Sequence, residues 1–170
     1  MKLPLHIPPR VAFAFYVILA AAAFVAHSTR ATRLTMVNVG ILIEHAPQAA
    51  LVLLGLGLAL LAIAAVTSTL LPRLLGLALA LCVTWFGAND LLFRITTDRD
   101  ALRLRGLVQR TALTWKEVAK VENEGAQVVL VALGGRQVRL DLGRLTEQQR
   151  AAFHRTIARR IWEAGPGPAR

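Results

Sequence analysis

The chain has 170 residues, of which 55% are hydrophobic and 18% are charged, and its formal net charge is +10. This composition is too apolar for an average soluble domain. The single cysteine, Cys82, excludes a disulfide or a cysteine-based metal site within one chain. Residues 1–93 carry five Lys or Arg against two acids, whereas residues 94–170 carry fifteen against eight. The sequence therefore divides into an apolar half and a basic, polar half.

The first apolar run is Val11–Ala26, VAFAFYVILAAAAFVA, which is close to the length of a spanning helix. A cleaved signal peptide is the alternative, since Lys2 and Arg10 precede the run and Ala21-Ala22-Ala23 offers a cleavage site. The retained helix is favoured because Pro8-Pro9 stands just before the run and because the run is long for a signal peptide.

The segment Ser28–Gln48 comes next, and its mostly apolar stretch over residues 34–43 is too short to span a bilayer. Three placements are open: it lies in the membrane interface, continues the first helix, or packs on the other helices. In each of them its charged and titratable side chains face headgroups or water, namely Arg30, Arg33, Glu44 and His45.

Two longer apolar runs follow, and Pro72-Arg73 is the whole link between them. Such a link predicts a tight antiparallel hairpin, with the proline in the first turn of the third helix. Gly76 is small enough to permit close helix contact, whereas Gly55 and Gly57 are attributed to the frequency of glycine in membrane helices. A transmembrane domain over residues 1–93 is predicted, with helices at approximately 11–28, 49–71 and 74–93.

Two polar residues, Asn89 and Asp90, interrupt the end of the third run. An ionisable group deep in a bilayer indicates a functional site by default. Here Arg94 follows Asp90 at the spacing i, i+4, at which the two side chains can meet on one helix face. We therefore favour an interfacial ion pair between Asp90 and Arg94.

After residue 93 the pattern changes to the two-residue alternation of half-buried strands. Ala101–Gly106 and Arg136–Leu142 alternate strictly, and Ala126–Leu133 is the stretch richest in β-branched residues. Gly134-Gly135 predicts a two-residue hairpin link with positive φ. The other predicted elements are a strand at 92–97, a turn at 98–100, a strand at 110–115, a short turn at 116–118 and a strand at 119–124.

The last predicted element is an amphipathic helix. Thr146 and Gln149 form a capping box at its start, and its apolar side recurs at four-residue spacing through Phe153, Ile157 and Ile161. Trp115 is expected in the core beneath this helix. The polar domain thus covers residues 94–163, and residues 164–170 are predicted to be a disordered tail.

From Ile95 to about Ile161 the chain resembles a bacterial pleckstrin-homology (PH) domain. The matching residues are Thr97-Asp98, Leu102-Arg103-Leu104-Arg105-Gly106-Leu107, Thr114-Trp115-Lys116-Glu117-Val118, Val121-Glu122 and Gly134-Gly135-Arg136-Gln137-Val138-Arg139-Leu140, followed by the closing helix. Leu113-Thr114 replaces the Ile-Pro typical of that family. The resemblance implies a small antiparallel β barrel or sandwich with a C-terminal helix. Together with the three apolar runs, it predicts an α+β membrane protein in which three transmembrane helices precede this domain. It implies fold more than function.

No catalytic pattern is present in the sequence. It has no G-x-S-x-G, P-loop or G-x-G-x-x-G in a nucleotide-binding context, and none of its histidines has metal-ligand spacing: His6, His27, His45 and His154. We therefore expect neither an enzyme nor a cofactor nor a metal site.

Basic side chains are the remaining candidates for a binding site, and near an anionic leaflet each could contribute about 1 kcal/mol of attraction. The candidates for lipid or partner binding are Arg103, Arg105, Arg110, Lys116, Lys120, Arg136 and Arg139. Because they are spread over several strands, a solvated charged face is the competing interpretation.

Positive-inside counting gives the orientation. Arginines of the 28–48 segment and of the chain just after residue 93 outnumber the basic residues on the other side, which are Lys2, Arg10 and Arg73. This places the N-terminus outside and the C-terminal domain in the cytoplasm, in a multi-pass protein of a bacterial inner membrane.

Two functions remain open. The first is a non-enzymatic, membrane-anchored scaffold or accessory module that binds a protein partner or anionic lipid headgroups. The second is a small oligomeric transport or channel component assembled around Asp90, Asn89 and Thr84, with a regulatory PH-like domain. Asp90 facing a pore or partner helix supports the second, and Asp90 paired with Arg94 supports the first. The basic strands lack the interleaved aromatic residues of single-strand binders, so nucleic acid is not the expected partner.

Overall fold

A computed structural model describes residues 7–37 and 40–165 of the chain. They form two compact units, one holding residues 7–31 and 45–92 and the other residues 32–37, 40–44 and 93–165. The second unit thus takes in a segment upstream of residue 93, where the sequence pattern placed the domain boundary. Lys2 and His6 lie outside the described residues, as do residues 166–170 of the predicted tail.

The first unit contains three helices, α1 (Pro9–Ser28), α2 (Pro47–Val66) and α3 (Leu70–Leu92). All three are long and apolar enough to cross a membrane. Pro72 lies in the first turn of α3, as predicted, but the link between α2 and α3 is Thr67–Thr69 instead of Pro72-Arg73. The helix therefore begins earlier than predicted, because the first turn of a helix tolerates proline.

Small residues set the close approaches between these helices. A Cβ on Gly76 would collide with the Tyr16 ring, and one on Gly57 would collide with Thr84, whereas Gly55 has open space around it. The interpretation of Gly57 as incidental is therefore wrong, and that of Gly55 is confirmed. The Tyr16 hydroxyl donates a buried hydrogen bond to Thr67 Oγ1 at 3.2 Å, since the Thr67 hydroxyl itself donates to Ile63 O.

The second unit contains two antiparallel sheets and a C-terminal helix. The five-stranded sheet has the order β1-β2-β3-β4-β5, and the three-stranded sheet has the order β6-β7-β8. The strands are β1 (Thr32–Val37), β2 (Gly40–His45), β3 (Arg94–Thr97), β4 (Ala101–Arg105), β5 (Arg110–Thr114), β6 (Val118–Glu124), β7 (Gln127–Ala132) and β8 (Gln137–Asp141).

The segment between the first two helices is part of this sheet, so the predictions that it continues the first helix or packs on the other helices are wrong, while its placement in the membrane interface stays a prediction. β2 pairs with β3 in the register Ile41↔Thr97 to Glu44↔Arg94. Ile41 and Ile43 are buried while Leu42 and Glu44 are half-buried, so the segment has the alternation of a strand. It joins the sheet because pairing with β3 buries these isoleucines in the core of the second unit.

One core connects both sheets with the C-terminal helix α4 (Glu147–Ala164). Phe153 and Ile157 of α4 are fully buried in it, and the Thr146–Gln149 capping box is present as predicted. Trp115 lies in this core too, within a 3-10 helix, Trp115–Glu117, where a turn over 116–118 was predicted. Its indole Nε1 donates to Asp98 O at 3.0 Å, which satisfies its polar atom.

The β7–β8 hairpin differs slightly from its prediction. Ala132 N donates to Arg136 O at 2.8 Å, so three residues, not two, form the turn. Only Gly135 has positive φ there, at 77°. This is the three-residue hairpin in which a left-handed glycine follows the tight turn.

Candidate functional site

The five-stranded sheet has one apolar face and one polar face. Ile95, Leu102 and Leu113 point into the core, and the alternate residues of the same strands point outward. The outward side chains on β3, β4 and β5 include four exposed arginines: Arg94, Arg103, Arg105 and Arg110. The sheet thus gathers on one surface basic residues that are up to 16 positions apart in the chain.

Three of these arginines lie side by side on neighbouring strands. Arg94 is directly opposite Arg105, and Arg105 is directly opposite Arg110. Opposite residues in an antiparallel pair have Cβ atoms about 5 Å apart, and like charges placed there are destabilising. We call this set, Arg94, Arg105 and Arg110, the arginine row.

The acids available to the polar face do not neutralise the row. Glu44, the β2 residue opposite Arg94, approaches it at 3.8 Å. Arg103 is paired with Asp98 at 3.2 Å. No ion pair within the described residues reaches Arg105 or Arg110. The row therefore holds three guanidinium groups against a single loosely placed carboxylate, an arrangement suited to receiving an anion.

The row lies at the end of the sheet where the chain passes to and from the helices. β3 begins at Arg94, and only Phe93 separates that residue from the end of α3. The end of β2 lies beside the start of β3, because Glu44 is opposite Arg94. The start of β1 lies at this end too, since Ala46 N donates to Ala31 O at 2.8 Å. All three connections between the units thus enter the sheet at the end that carries the arginine row.

The other predicted candidates lie elsewhere in the second unit. Arg139 is on β8 and Arg136 precedes it, both exposed on the three-stranded sheet. Lys116, in the 3-10 helix, lines an open cleft of about 990 Å³ that also includes Arg99. Lys120 donates to Glu122 at 2.7 Å, and this hydrogen bond together with the Glu122 charge raises the pKa of Lys120 above its ordinary 10.5. The predicted set is therefore divided among three places: the five-stranded sheet, the three-stranded sheet with its hairpin, and the cleft beside the 3-10 helix.

A second charged cluster is buried in the helical unit. The Asp90 side chain is 1% exposed, and Arg30 Nη1 donates to its Oδ1 at 2.7 Å and to its Oδ2 at 3.0 Å. His27 Nδ1 lies 3.2 Å from Oδ2, and the imidazole packs on the Phe86 ring at 5.1 Å between centroids. Asp90 on α3 is thereby bound to His27 in the last turn of α1 and to Arg30, two residues after the end of that helix.

The predicted Asp90–Arg94 pair is wrong. Because α3 ends at Leu92, Arg94 lies on a strand and not one turn further along the helix, so the i, i+4 geometry does not exist. Arg94 approaches Glu44 instead. Asn89, half-buried in the same turn of α3, also has an interaction partner. The sequence offered one clue to the true partners: His27 and Arg30 follow the first apolar run, which puts them at the same membrane face as the end of the third.

The two clusters differ in what they can do chemically. In the Asp90 cluster the carboxylate is buried and joins α3 to the C-terminal end of α1. The arginine row is exposed, basic and able to form charge-assisted hydrogen bonds with phosphate oxygens. Within residues 7–37 and 40–165, no group of three or more His, Cys, Asp or Glu side chains could hold a metal ion.

Comparison of the chain with protein-family models, with curated proteins and with solved structures gives no match. The functional assignment therefore depends on the geometry of the arginine row and its place in the chain.

Proposed function

We propose that this protein is a non-enzymatic, membrane-anchored module that contacts the phosphates of anionic lipids through the arginine row. The observation that carries the proposal is the uninterrupted cross-strand series Arg94, Arg105 and Arg110 at the end of the sheet next to α3. A scaffold or accessory role follows, in which the helices anchor the module and the polar face of the sheet binds the anionic headgroups of the membrane surface.

The membrane anchor is supported by the lengths of the helices. α3 has 23 residues, which at 1.5 Å per residue gives about 35 Å, slightly more than the roughly 30 Å hydrocarbon core. Its last residue, Leu92, is then expected near the headgroup boundary. Arg94 follows two residues later, within reach of lipid phosphates.

The charge pattern supports an anionic ligand. Like charges directly opposite across a sheet destabilise it, and a bound anion reverses that effect. Near an anionic leaflet a basic residue contributes about 1 kcal/mol, so Arg105 and Arg110 together contribute about 2 kcal/mol, or roughly 30-fold in affinity.

The module is proposed to be PH-like. Two antiparallel sheets packed with one C-terminal helix are compatible with that resemblance, although β1 and β2 are supplied from between two helices. An experimental structure of the second unit that superposes on PH domains would support the assignment, and one with a different strand connectivity would remove it.

The side of the membrane is proposed from charge. Arg110 of the arginine row adds one charge to the residues already counted on the C-terminal side, which include Arg94 and Arg105, and the total favours the cytoplasmic face of a bacterial inner membrane. A reporter fused after Arg170 that is active only in the cytoplasm is the expected result. Activity only outside the cytoplasm contradicts the orientation.

The lipid contact is tested with the full chain, because β1 and β2 lie upstream of residue 93 and a fragment from residue 94 would lack them. Thermal unfolding of the purified protein in neutral detergent is followed with added short-chain phosphatidylglycerol or phosphatidylcholine. A ligand that binds the folded state raises the melting temperature. We expect greater stabilisation by phosphatidylglycerol, and a smaller difference at high salt.

A matched pair of variants assigns the effect to its site. R105Q/R110Q removes two charges from the arginine row, and R136Q/R139Q removes two from the other sheet. The preference for phosphatidylglycerol should be lost in the first and kept in the second. Equal behaviour of the two variants contradicts the site, and no preference in the wild type contradicts lipid binding and leaves a protein partner as the function to test.

The transport alternative has no observation in its favour. It required Asp90 to face a pore or a partner helix of another subunit, and both carboxylate oxygens of Asp90 are bonded to Arg30 within one chain.

A further inference from the structure

The loop between β4 and β5 is short, ordered and apolar at its tip. It runs from Gly106 to Gln109, and Gly106 N donates to Gln109 O at 2.8 Å. Val108 is 76% exposed, while Leu107 beside it is half-buried. Two members of the arginine row, Arg105 and Arg110, flank the loop as the last pair of the β4–β5 ladder.

The loop lies at the end of the sheet where β3 begins, two residues after the end of α3 along the chain. Consecutive Cα atoms are 3.80 Å apart, so Arg94 is at most about 7.6 Å from Leu92 along the chain. Arg105 is directly opposite Arg94, about 5 Å away. Arg105, the residue that precedes the loop, therefore lies within roughly 13 Å of the last residue of α3, a separation comparable to the thickness of a headgroup layer plus one arginine side chain.

The two ends of β4 have opposite chemistry. At the end away from α3, the turn between β3 and β4 is Asp98-Arg99-Asp100, entirely charged. At the end near α3, the loop is Gly-Leu-Val-Gln, with no charge. Scattered exposed apolar residues are normal on soluble surfaces, so the exposure of Val108 alone would not indicate contact with a membrane. An uncharged loop at the helix-proximal end, opposite a fully charged turn at the distal end, matches the polarity gradient of a membrane interface.

We propose that the β4–β5 loop inserts Val108 into the bilayer at the boundary between headgroups and acyl chains, with Arg105 and Arg110 binding phosphates on either side of it. This rests on the proposed function, because it takes the same face of the sheet to lie against lipid. It adds a hydrophobic anchor to an electrostatic contact and so fixes the depth of the sheet relative to the membrane.

The test is a fluorescence measurement on the full chain in lipid nanodiscs, which leave both faces accessible. The one cysteine, Cys82, is exposed on α3 and is first replaced in a C82A background. V108C is labelled with the environment-sensitive dye NBD, and R99C, in the charged turn at the opposite end of β4, is the matched control. We expect blue-shifted emission and quenching by spin-labelled phosphatidylcholine at position 108, and the emission of an aqueous dye at position 99.

A second measurement removes the influence of the dye. Unlabelled V108C should react several-fold more slowly with a water-soluble PEG-maleimide in nanodiscs than R99C does, and the two should react alike once the protein is unfolded in detergent. Aqueous emission at position 108, together with equal reaction rates in nanodiscs, overturns the insertion.

The insertion of Val108 and the binding of anionic lipid by the arginine row can be contradicted independently of each other. The dye at position 108 is measured in purely zwitterionic discs, where the charge preference of the arginine row does not act. A buried probe with no phosphatidylglycerol preference in the thermal assay supports insertion and contradicts the proposed function. A preference that is lost in R105Q/R110Q, with an aqueous probe at position 108, contradicts insertion alone.

Discussion

Substitution of Asp90 by Asn should destabilise the helical unit far more than the loss of a surface ion pair. D90N keeps the shape of the side chain but removes the charge that accepts two hydrogen bonds from Arg30. Breaking a buried pair by removing one partner costs about 3–5 kcal/mol. The Arg30 side chain is 16% exposed and can recover some hydration, so we expect a loss near the lower end, about 3 kcal/mol.

The matched control is E44Q, which removes the loosely placed Glu44–Arg94 pair. Its side chains are 32% and 57% exposed, and such pairs contribute at most about 1 kcal/mol. Unfolding free energies are measured in mixed micelles by titration with SDS, followed by far-UV circular dichroism. The double variant R30Q/D90N should lose less than the sum of the two single variants by at least about 1 kcal/mol, because they share one interaction. A D90N loss no larger than that of E44Q, or strictly additive losses, would refute the buried pair as a clamp between α1 and α3.

Two further predictions concern packing and use the same unfolding assay. G76A should lower the free energy of unfolding by about 1–3 kcal/mol, because the added methyl group collides with Tyr16. G55A should be neutral or slightly stabilising, because Gly55 has open space around it. Equal effects of the two substitutions would contradict the close α1–α3 contact. W115A should lower the unfolding free energy of the second unit by about 3 kcal/mol or more, because Trp115 is fully buried. W162A should change it by no more than about 0.5 kcal/mol, because Trp162 is exposed. A large loss of stability in W162A would contradict the position of α4.

Local patterns predicted the helices and the downstream strands well, since each depends on residues close together in the chain. Long apolar runs located α1, α2 and α3, and strict alternation located β4 and β8. The capping box at Thr146 and the buried Trp115 followed from local chemistry too. These features need no partner from a distant segment to be recognised.

The β1–β2 segment escaped prediction for a physical reason. Its apolar stretch was judged only by whether it is long enough to span a bilayer. The strand signal within it is the alternation of Ile41 and Ile43 with Leu42 and Glu44. Leu42 is itself apolar, which weakens the alternation. The strand that buries these isoleucines, β3, lies some fifty residues later, and no local pattern reports such a pairing.

The candidate site was only partly predictable. Arg103 and Arg105 were assigned to one face of β4 from alternation, but the register that brings Arg94 and Arg110 beside Arg105 is set by the turns between the strands. Asp90 was matched to the nearest arginine along the chain, whereas its partner, Arg30, lies 60 residues upstream. In both cases the decisive neighbours belong to another element.

The most direct test of the account is to observe contact between the arginine row and lipid phosphate. In phosphatidylglycerol bilayers, solid-state NMR with guanidinium ¹⁵N and lipid ³¹P measures dephasing of arginine signals that lie close to phosphorus. We predict that R105Q/R110Q removes part of the dephased signal and that R136Q/R139Q leaves it intact. An equal dephased signal in the wild type and both variants would contradict the claim that this face of the sheet binds anionic headgroups.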